Sequence, residues 1–219
     1  MSEQLPPADP APSDPGLTPE AEQPAAPEWK PHSVRLIVND DLKRSRLTVF
    51  FRLLLLIPHL FWQAVWGLAA NSCVIVNWFV VLAMGRSPED LHLFLARVLR
   101  YRTHVSSYVL LVSNPYPSFF GRQGANPVDL EIDGPDRQPR LVTLFRLVLA
   151  IPAFVIAYVL IFVMVVVAII GWFVALVIGR TPKGMRDLSA YCLRYEAQTA
   201  AYLMILTSRY PSFAGTPTS

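Results

Sequence analysis

Two long apolar runs dominate the pattern of hydrophobic and polar positions along this chain of 219 residues. The first extends from Arg46 to Arg86 and the second from Arg140 to Arg180. No charged residue occurs between Arg146 and Arg180. Uncharged apolar runs longer than about 18 residues are typical of membrane-spanning segments rather than of soluble helices. The pattern therefore predicts an integral membrane protein.

The two runs belong to an internal duplication. A shift of 94 residues places 34–119 on 128–213 without a gap. Ile57-Pro58 then meets Ile151-Pro152, and the Tyr-Pro-Ser-Phe sequence at 116–119 meets the same sequence at 210–213. An ungapped match of this length indicates two tandem copies of one structural unit.

The length of each run bears on how often it crosses the membrane. A run of about 40 residues makes about 60 Å of helix, whereas one crossing takes about 20 residues. Basic residues flank both ends of each run, and basic flanks favour the cytoplasmic side, so the number of crossings should be even. We therefore predict a transmembrane hairpin in each copy, with turns near Ala69–Ser72 and within Ile161–Val166. One long tilted span preceded by an in-plane helix is the alternative.

Shorter patterns surround the apolar runs. Apolar and polar residues alternate at 34–38 and again at 128–132, which predicts two short strands that could pair as a ribbon. After each run, Ser87-Pro88 and Thr181-Pro182 provide a capping residue and a proline suited to the first helical position. An amphipathic helix lying at the membrane interface is expected after each proline.

These elements define the predicted domain organisation. Residues 1–31 are rich in proline, alanine and acidic residues, so we expect a disordered tail. Membrane repeat 1 should occupy 32–120, a linker 121–127, membrane repeat 2 128–213, and a short C-terminal tail 214–219. The predicted fold class is an all-α integral membrane protein of two like-oriented repeats with about four transmembrane helices. Each repeat contains a short strand, a transmembrane hairpin and an amphipathic interfacial helix.

The distribution of charge indicates the partner of the membrane part. The net charge is +3, but residues 1–31 carry six acidic residues and one basic residue, which leaves +8 on the rest of the chain. A basic membrane protein is expected to contact anionic lipid headgroups, and nothing here indicates nucleic-acid binding. The basic flanks predict a multi-pass membrane protein with both termini and the connector between the repeats in the cytoplasm.

Several motifs resemble those of a known family. These are the sequence from Arg52 to His59 (RLLLLIPH), Gly85-Arg86-Ser87-Pro88, and the final Tyr-Pro-Ser-Phe of each copy. Over about 34–213 the chain resembles an uncharacterised bacterial membrane family, the domain of unknown function four-three-eight-nine. The second copy differs at Ala153, where the first has His59. The resemblance implies a membrane architecture, located in the bacterial inner membrane, and no known activity.

No catalytic, cofactor-binding or metal-binding pattern is present in the sequence. The chain has no nucleophile motif, zinc-binding helix motif or phosphate-binding glycine loop. We therefore predict a protein that is not an enzyme and has no cofactor or metal ion. Cys73 and Cys192 lie in apolar surroundings and are predicted to be packing residues.

Arginines near the ends of the apolar runs are the candidate site residues. Arg52 and Arg146 each lie one turn inside a run, where a charge is costly unless it reaches a lipid phosphate or a partner. A sharper hypothesis joins these two with Arg86 and Arg180 in two symmetry-related basic pockets for an anionic lipid or a phosphate-bearing ligand. The full set of candidate lipid or phosphate contacts is Arg52, Arg86, Arg100, Arg146, Arg180 and Arg194. Aromatic residues expected at headgroup depth are Trp78, Tyr116, Trp172 and Tyr210.

Three polar amides, Gln63, Asn71 and Asn77, lie in the first apolar run only. Such amides usually join helices by hydrogen bonds, and a pore lining is the alternative. The leading functional hypothesis is a scaffold or accessory subunit that binds anionic lipid, other membrane proteins or a second copy of itself. A small transporter or channel between the repeats is the first alternative. A lipid-modifying enzyme is the second, and its nearest acidic residues would be Glu89, Asp90, Asp187 and Glu196.

Overall fold

The computed structural model describes residues 32–214, so the predicted tail at 1–31 and nearly all of the tail at 214–219 lie outside the described residues. Two copies of the same order of elements follow one another: a strand, a long apolar helix and a shorter helix. The elements are β1 (Val34–Val38), α1 (Arg46–Met84), α2 (Glu89–Val109), β2 (Val128–Ile132), α3 (Arg140–Leu144), α4 (Arg146–Ile178) and α5 (Lys183–Leu203).

The two strands form the predicted ribbon. β1 pairs with β2 in antiparallel register, and Leu36 lies opposite Leu130. These two leucines are equivalent positions of the two repeats, because each occupies the same place relative to its apolar run. Antiparallel pairing through equivalent residues places a local two-fold axis between them.

The prediction of a hairpin within each apolar run is wrong, because the first run is the single helix α1 and the second consists of the short helix α3 followed by the long helix α4. Ala69–Ser72, the expected first turn, lies inside the 39-residue α1. The Ser72 hydroxyl donates to the carbonyl oxygen of Leu68 at 3.1 Å, so this residue satisfies its hydrogen bond within the helix. Ile161–Val166 lies inside the 33-residue α4 in the same way. The described part of the chain thus has two helices, not four, that are long and apolar enough to cross a membrane.

The helices predicted after the two prolines are present as α2 and α5, and both pack against other elements of the protein. α2 is sandwiched between α1 and the ribbon. On one side the Phe94 ring stacks on Trp66 of α1, with centroids 5.9 Å apart. On the other side the Arg100 Nε donates to the carbonyl oxygen of Leu130 in β2 at 3.0 Å. Pro88, rather than Ser87, is the N-cap residue of α2, and the Ser87 hydroxyl donates to the side-chain oxygen of Asn77.

The long helices α1 and α4 run antiparallel, and each begins where the other ends. Near the start of α1, the Trp172 indole of α4 donates to the carbonyl oxygen of Val49 at 2.9 Å. Near the end of α1, the Trp78 indole donates to the carbonyl oxygen of Thr143 in α3 at 2.9 Å. These two contacts are equivalent under the duplication, so the same two-fold axis relates the long helices.

The core lies between the ribbon and the shorter helices, and the outer arc of each long helix is left uncovered. Leu36, Leu130, Leu99 and Leu193 are among the buried core residues. Along α1 the buried residues form one stripe, which consists of Val49, Arg52, His59, Ala70, Asn77 and Val81. Large apolar side chains cover the remaining surface of α1 and of α4 and are exposed along both helices. Monomeric soluble proteins rarely expose a continuous apolar surface of this kind.

Candidate functional site

Two basic clusters lie at the opposite ends of the apolar layer formed by α1 and α4. The Lys43 cluster consists of Lys43, Arg46 and Arg180, and a backbone bridge joins Lys43 to Arg180. The Arg137 cluster consists of Arg86, Arg137 and Arg140, and the equivalent bridge joins Arg86 to Arg137. Each cluster therefore combines the start of one repeat's long helix with the end of the other repeat's long helix.

One arginine of each cluster caps the neighbouring long helix. The Arg46 Nη2 donates to the carbonyl oxygen of Val177 at 2.9 Å, and the Arg140 Nη2 donates to the carbonyl oxygen of Ala83 at 2.9 Å. The last carbonyls of a helix have no partner within the helix and carry a partial negative charge. These arginines therefore hold the two repeats together as well as adding positive charge.

The other members of the clusters are exposed. Arg86 and Arg137 line a cavity of about 530 Å³ at the end of α1, next to the exposed side chain of Met84. Guanidinium groups bind phosphate through paired N–H donors. Of the predicted phosphate contacts, Arg86 and Arg180 are thus located where a phosphate could reach them, at the two borders of the apolar layer.

Arg52 and Arg146 take no part in these clusters, because their side chains are enclosed by protein. Each is about 2% exposed. The Arg52 Nη1 donates to the carbonyl oxygens of Tyr108 and Ser113 at the end of α2, and its guanidinium lies 4.2 Å from the centre of the Tyr108 ring. The expectation that this pair reaches lipid phosphate does not agree with its burial.

The second repeat repeats this arrangement. The Arg146 Nη1 donates to the carbonyl oxygens of Tyr202 and Thr207 at the end of α5, and its guanidinium lies 4.5 Å from the centre of the Tyr202 ring. In both repeats a buried arginine therefore joins the beginning of the long helix to the end of the shorter one. This role depends on contacts distant in sequence, which the local pattern could not indicate.

Arg100 and Arg194 are also buried. The Arg100 side chain lies against β2, where its Nε is 3.5 Å from a carboxylate oxygen of Asp129. The Arg194 Nη1 and Nη2 donate to the carbonyl oxygens of Ala214 and Phe213 at 3.1 and 3.2 Å. These two arginines hold the ribbon and the C-terminal segment, and neither belongs to the basic clusters.

The four predicted interface aromatics have two different environments. Trp78 and Trp172 are the half-buried residues whose indoles join the repeats. Tyr116 and Tyr210 are more exposed, at 43% and 42%. The Tyr116 ring also covers His59, with ring centres 4.6 Å apart, so the Tyr-Pro-Ser-Phe sequence has a packing role in the first repeat.

Between its two end contacts with α4, α1 borders a groove. This central groove has a cavity of about 290 Å³ lined by Leu56, Leu60, Gln63, Arg102, Val105, Ser106, Val109, Leu110, Ile161, Met164, Val165, Leu193 and Glu196. A neighbouring cavity of about 530 Å³ shares Leu60, Gln63, Arg102 and Ser106 with it and adds Asn71. Of the three predicted polar amides, Gln63 thus lines the central groove and Asn71 lines the neighbouring cavity, whereas Asn77 is buried against Ser87.

The groove contains an ion pair that sequence reasoning missed. The Arg102 Nη2 lies 2.9 Å from a carboxylate oxygen of Glu196. Positions 102 and 196 are equivalent in the two repeats, so this pair lies at the two-fold axis. The signal was available in the sequence, because a duplication that brings equivalent helices together also brings these opposite charges together.

Within residues 32–214, no three histidine, cysteine or acidic side chains lie close enough together to hold a metal ion. Cys73 is half-buried and Cys192 is buried, and both are free thiols. Glu196, the acidic residue that lines the central groove, is already paired with Arg102.

The fold and the site together define a class: a two-repeat helical protein with two long, outward-facing apolar helices and a basic cluster at each end. The chain belongs to the family described as Domain of unknown function (DUF4389), whose model matches 46–121 and again 140–215. This match confirms the family resemblance and the tandem repeat. No curated protein and no solved structure matches the chain.

Proposed function

We propose that the protein is a monotopic membrane scaffold, without enzymatic activity, that embeds α1 and α4 in one leaflet and binds its anionic headgroups. The bacterial cell membrane is the proposed location, and the cytoplasmic leaflet is the proposed side. The opposite face of the protein would be free to bind other membrane proteins or a second copy. The observation that carries this proposal is the antiparallel contact of the two long helices at both of their ends.

The direction of the two-fold axis relative to the membrane decides whether the long helices cross the bilayer. The axis passes through the Leu36–Leu130 pair of the ribbon, through the Arg102–Glu196 pair, and between α1 and α4. Because it relates two antiparallel helices, it is perpendicular to both of them. If the membrane normal is parallel to this axis, the long helices lie in the membrane plane. If the normal is instead parallel to the helices, the axis lies in the membrane plane and the helices span the bilayer.

A crossing arrangement puts the ribbon at the wrong depth. If the axis lay in the membrane plane, every element on it would sit at the middle of the bilayer. The ribbon carries the partly exposed charges of Arg35, Glu131 and Asp133, and charges at that depth are costly, as is an open sheet edge facing lipid. This cost favours an axis along the membrane normal.

The heights of the helix ends determine the number of membrane crossings. With the axis along the normal, equivalent points of the two repeats lie at the same height. The start of α1 touches the end of α4, and the start of α1 also has the same height as the start of α4. The start and the end of α4 are therefore at the same height, and by symmetry so are the start and the end of α1. The even number of crossings that the basic flanks require is therefore zero.

The dimensions of the helices fit this arrangement. The 39 residues of α1 make about 58 Å of helix, almost twice the ~30 Å hydrocarbon core. Lying flat, a helix about 10 Å across fits within one leaflet. The exposed arc of α1 is apolar on its flanks as well as on its outer face, which suits a helix sunk below the headgroups better than one resting on them.

The basic clusters then have a defined place. Both lie at the ends of the apolar layer, and the in-plane arrangement puts both at the height of the lipid phosphates. Each Lys or Arg near an anionic surface contributes about 1 kcal/mol to binding. The positive charge at every end of the layer favours the cytoplasmic leaflet, so the flanks of both repeats and the connector at 121–127 would share that side.

The packing between the repeats bears on the transporter alternative. Equivalent residues of α2 and α5, such as Leu99 and Leu193, are buried in the common core with the ribbon leucines. This apolar packing is typical of a scaffold, whereas a transport path requires polar groups along its length. It supports the scaffold as the leading proposal.

Depth measurements along α1 test the proposal. Leu54, Leu68 and Phe79 are well exposed and are spread along the helix on its outer arc. In a background with both native cysteines replaced by serine, each residue is changed singly to cysteine, spin-labelled and reconstituted into vesicles. The in-plane arrangement predicts similar depths for all three labels. A deep central label with two shallow outer labels would contradict it.

A further inference from the structure

The central groove presents a problem for a protein embedded in this way. Its walls are apolar side chains of the two long helices, such as Leu56 and Ile161. Its floor contains Arg102, whose side chain is 47% exposed although it is paired with Glu196. A guanidinium facing a lipid-filled groove is costly unless it binds a partner. The ion pair uses one carboxylate oxygen and one guanidinium nitrogen, which leaves hydrogen-bonding capacity on both groups.

We propose that the central groove binds one phospholipid with an amine-bearing headgroup, phosphoethanolamine, whose phosphate contacts Arg102 and whose ammonium contacts Glu196. This inference rests on the proposed in-plane arrangement, because that arrangement opens the groove toward the bilayer. Guanidinium–phosphate and ammonium–carboxylate contacts are both charge-assisted hydrogen bonds. Gln63 and Ser106, which also line the groove, add further hydrogen-bonding groups.

Charge selects this headgroup over a purely anionic one. The floor of the groove carries one positive and one negative side chain, so its net charge is zero. A lipid with only a phosphate would meet the carboxylate of Glu196 as well as Arg102, and like charges repel. A phosphoethanolamine group carries both charges in the same molecule and matches both side chains.

The direction of the groove also fits a lipid of the embedded leaflet. The ion pair belongs to α2 and α5, which lie beneath the layer of α1 and α4. A headgroup held there would be at the height of the neighbouring headgroups. Its acyl chains would pass between the apolar walls of the groove toward the bilayer interior. The lipid therefore keeps the orientation that it has in the leaflet.

Native mass spectrometry of the full chain in mild-detergent micelles tests this site. The probes are phosphatidylethanolamine, phosphatidylglycerol and phosphatidylcholine with the same acyl chains, each titrated separately. We expect one retained phosphatidylethanolamine per chain, bound about tenfold more tightly than phosphatidylcholine, whose quaternary ammonium cannot donate a hydrogen bond to Glu196. Equal retention of the three lipids would overturn the proposal.

Variants at the two-fold axis make the test specific. Arg102→Gln and Glu196→Gln should each lower phosphatidylethanolamine affinity about tenfold. The double variant R102E/E196R exchanges the two charges between equivalent positions. A headgroup rotated by 180° about the two-fold axis would again meet both charges, so we expect this variant to regain the affinity that the single variants lose. Arg122→Gln removes an exposed arginine outside the groove and serves as the matched control. Loss of the lipid in the double variant would contradict binding through this pair.

A variant that keeps both charges separates an effect on lipid binding from a folding defect in the charge variants. Leu60 lines both cavities and is exposed, so Leu60→Trp fills the groove while keeping both charges. It should abolish retention of the lipid with no change in melting temperature, and continued retention would overturn the proposal. The outcome is separate from that of the depth measurement. A chain that retains the lipid but crosses the membrane would contradict the in-plane arrangement alone, and a flat chain without the lipid would contradict the groove alone.

Discussion

The indole N–H of Trp172 donates a 2.9 Å hydrogen bond to the carbonyl oxygen of Val49 and so joins the end of one long helix to the start of the other. The equivalent bond from Trp78 joins their other ends. Two contacts at opposite ends fix the helices as antiparallel neighbours. The proposed height of every other element relative to the membrane follows from this relationship.

Replacement of either tryptophan by phenylalanine should weaken the contact between the repeats. Each change removes one hydrogen bond while keeping an aromatic ring, so we expect a loss of about 1 kcal/mol in the free energy of unfolding. W78F and W172F should have equal effects that add in the double variant, because the two sites lie at opposite ends of α1. Thermal unfolding in micelles measures this.

Trp66 provides the control for loss of ring size. Its ring stacks on Phe94 within one repeat, and W66F leaves both bonds between the repeats intact. A disulfide cross-link between cysteines introduced at positions 47 and 177 reports on the contact between the repeats. W172F should lower the yield of this cross-link, and W66F should not. Equal changes in yield would contradict the role of the tryptophan hydrogen bonds in holding the repeats together.

The buried arginines should matter for folding rather than for lipid binding. Arg52→Met removes a donor that serves the carbonyl oxygens of Tyr108 and Ser113. Loss of a buried charged donor typically costs about 2–4 kcal/mol. We expect a large drop in melting temperature for this variant and for Arg146→Met, and little change for the exposed Arg97→Met. If R52M were stable but had lost its preference for anionic lipid, this result would contradict the folding role of Arg52 and support the headgroup contact predicted from the sequence.

The basic clusters should set the preference for anionic lipid. Arg86→Gln and Arg180→Gln each remove one exposed charge from equivalent places, and each should lower the preference for phosphatidylglycerol over phosphatidylcholine about fivefold. The preference can be measured by quenching of tryptophan fluorescence with brominated lipids in low salt. The exposed Arg97→Gln, outside both clusters, should have no such effect. Unequal effects of R86Q and R180Q would contradict the equal depth of the two clusters.

The stability of the layer opposite the apolar helices should depend on pH. Burial alone would raise the pKa of the Asp129 carboxyl, but hydrogen bonds from the His104 ring and from the amides of Gly124 and Leu130 hold that pKa below its ordinary value of 3.8. Burial lowers the pKa of His92 from 6.5. For both groups the unfolded chain takes up a proton at a higher pH than the folded chain does.

Both groups therefore favour the folded protein above their unfolded pKa values and lose that contribution as the pH falls. We expect the free energy of unfolding to decrease first as the pH drops below about 6.5, through His92, and again below about 4, through Asp129. Denaturant titrations of the protein in micelles measure both steps. Asp129→Asn should remove the second step and leave the first, and an unchanged profile in D129N would contradict the assignment.

Much of the fold could be predicted from the sequence because its signals are local or repeated. Alternation at 34–38 and 128–132 predicted the ribbon, and the prolines at 88 and 182 predicted where α2 and α5 begin. The duplication predicted two equivalent halves. The hairpin was wrong in the first run because Ser72 satisfies its hydroxyl inside the helix, and in the second because Ile161–Val166 continues α4 without a break.

The candidate site was less predictable because its contacts join distant parts of the chain. Arg52 looks like a membrane-border arginine by its position in the apolar run, yet its partners lie at the end of the next helix. Arg102 and Glu196 belong to two helices that are far apart in the sequence, and only the two-fold axis brings them together. Of the six candidate arginines, Arg86 and Arg180 at the ends of the runs are exposed as their sequence positions suggested, and the other four are buried.

The sidedness of residues flanking α1 tests the in-plane arrangement most directly. Ser45 precedes α1, Asp90 follows it, and Gln123 lies in the connector; all three are exposed. Each is changed singly to cysteine in a background without native cysteines and reacted with a membrane-impermeant maleimide in right-side-out and in inverted cell-membrane vesicles. We predict labelling of all three from the cytoplasmic face only. Labelling of positions 45 and 90 from opposite faces would contradict the claim that the apolar helices lie in the membrane without crossing it.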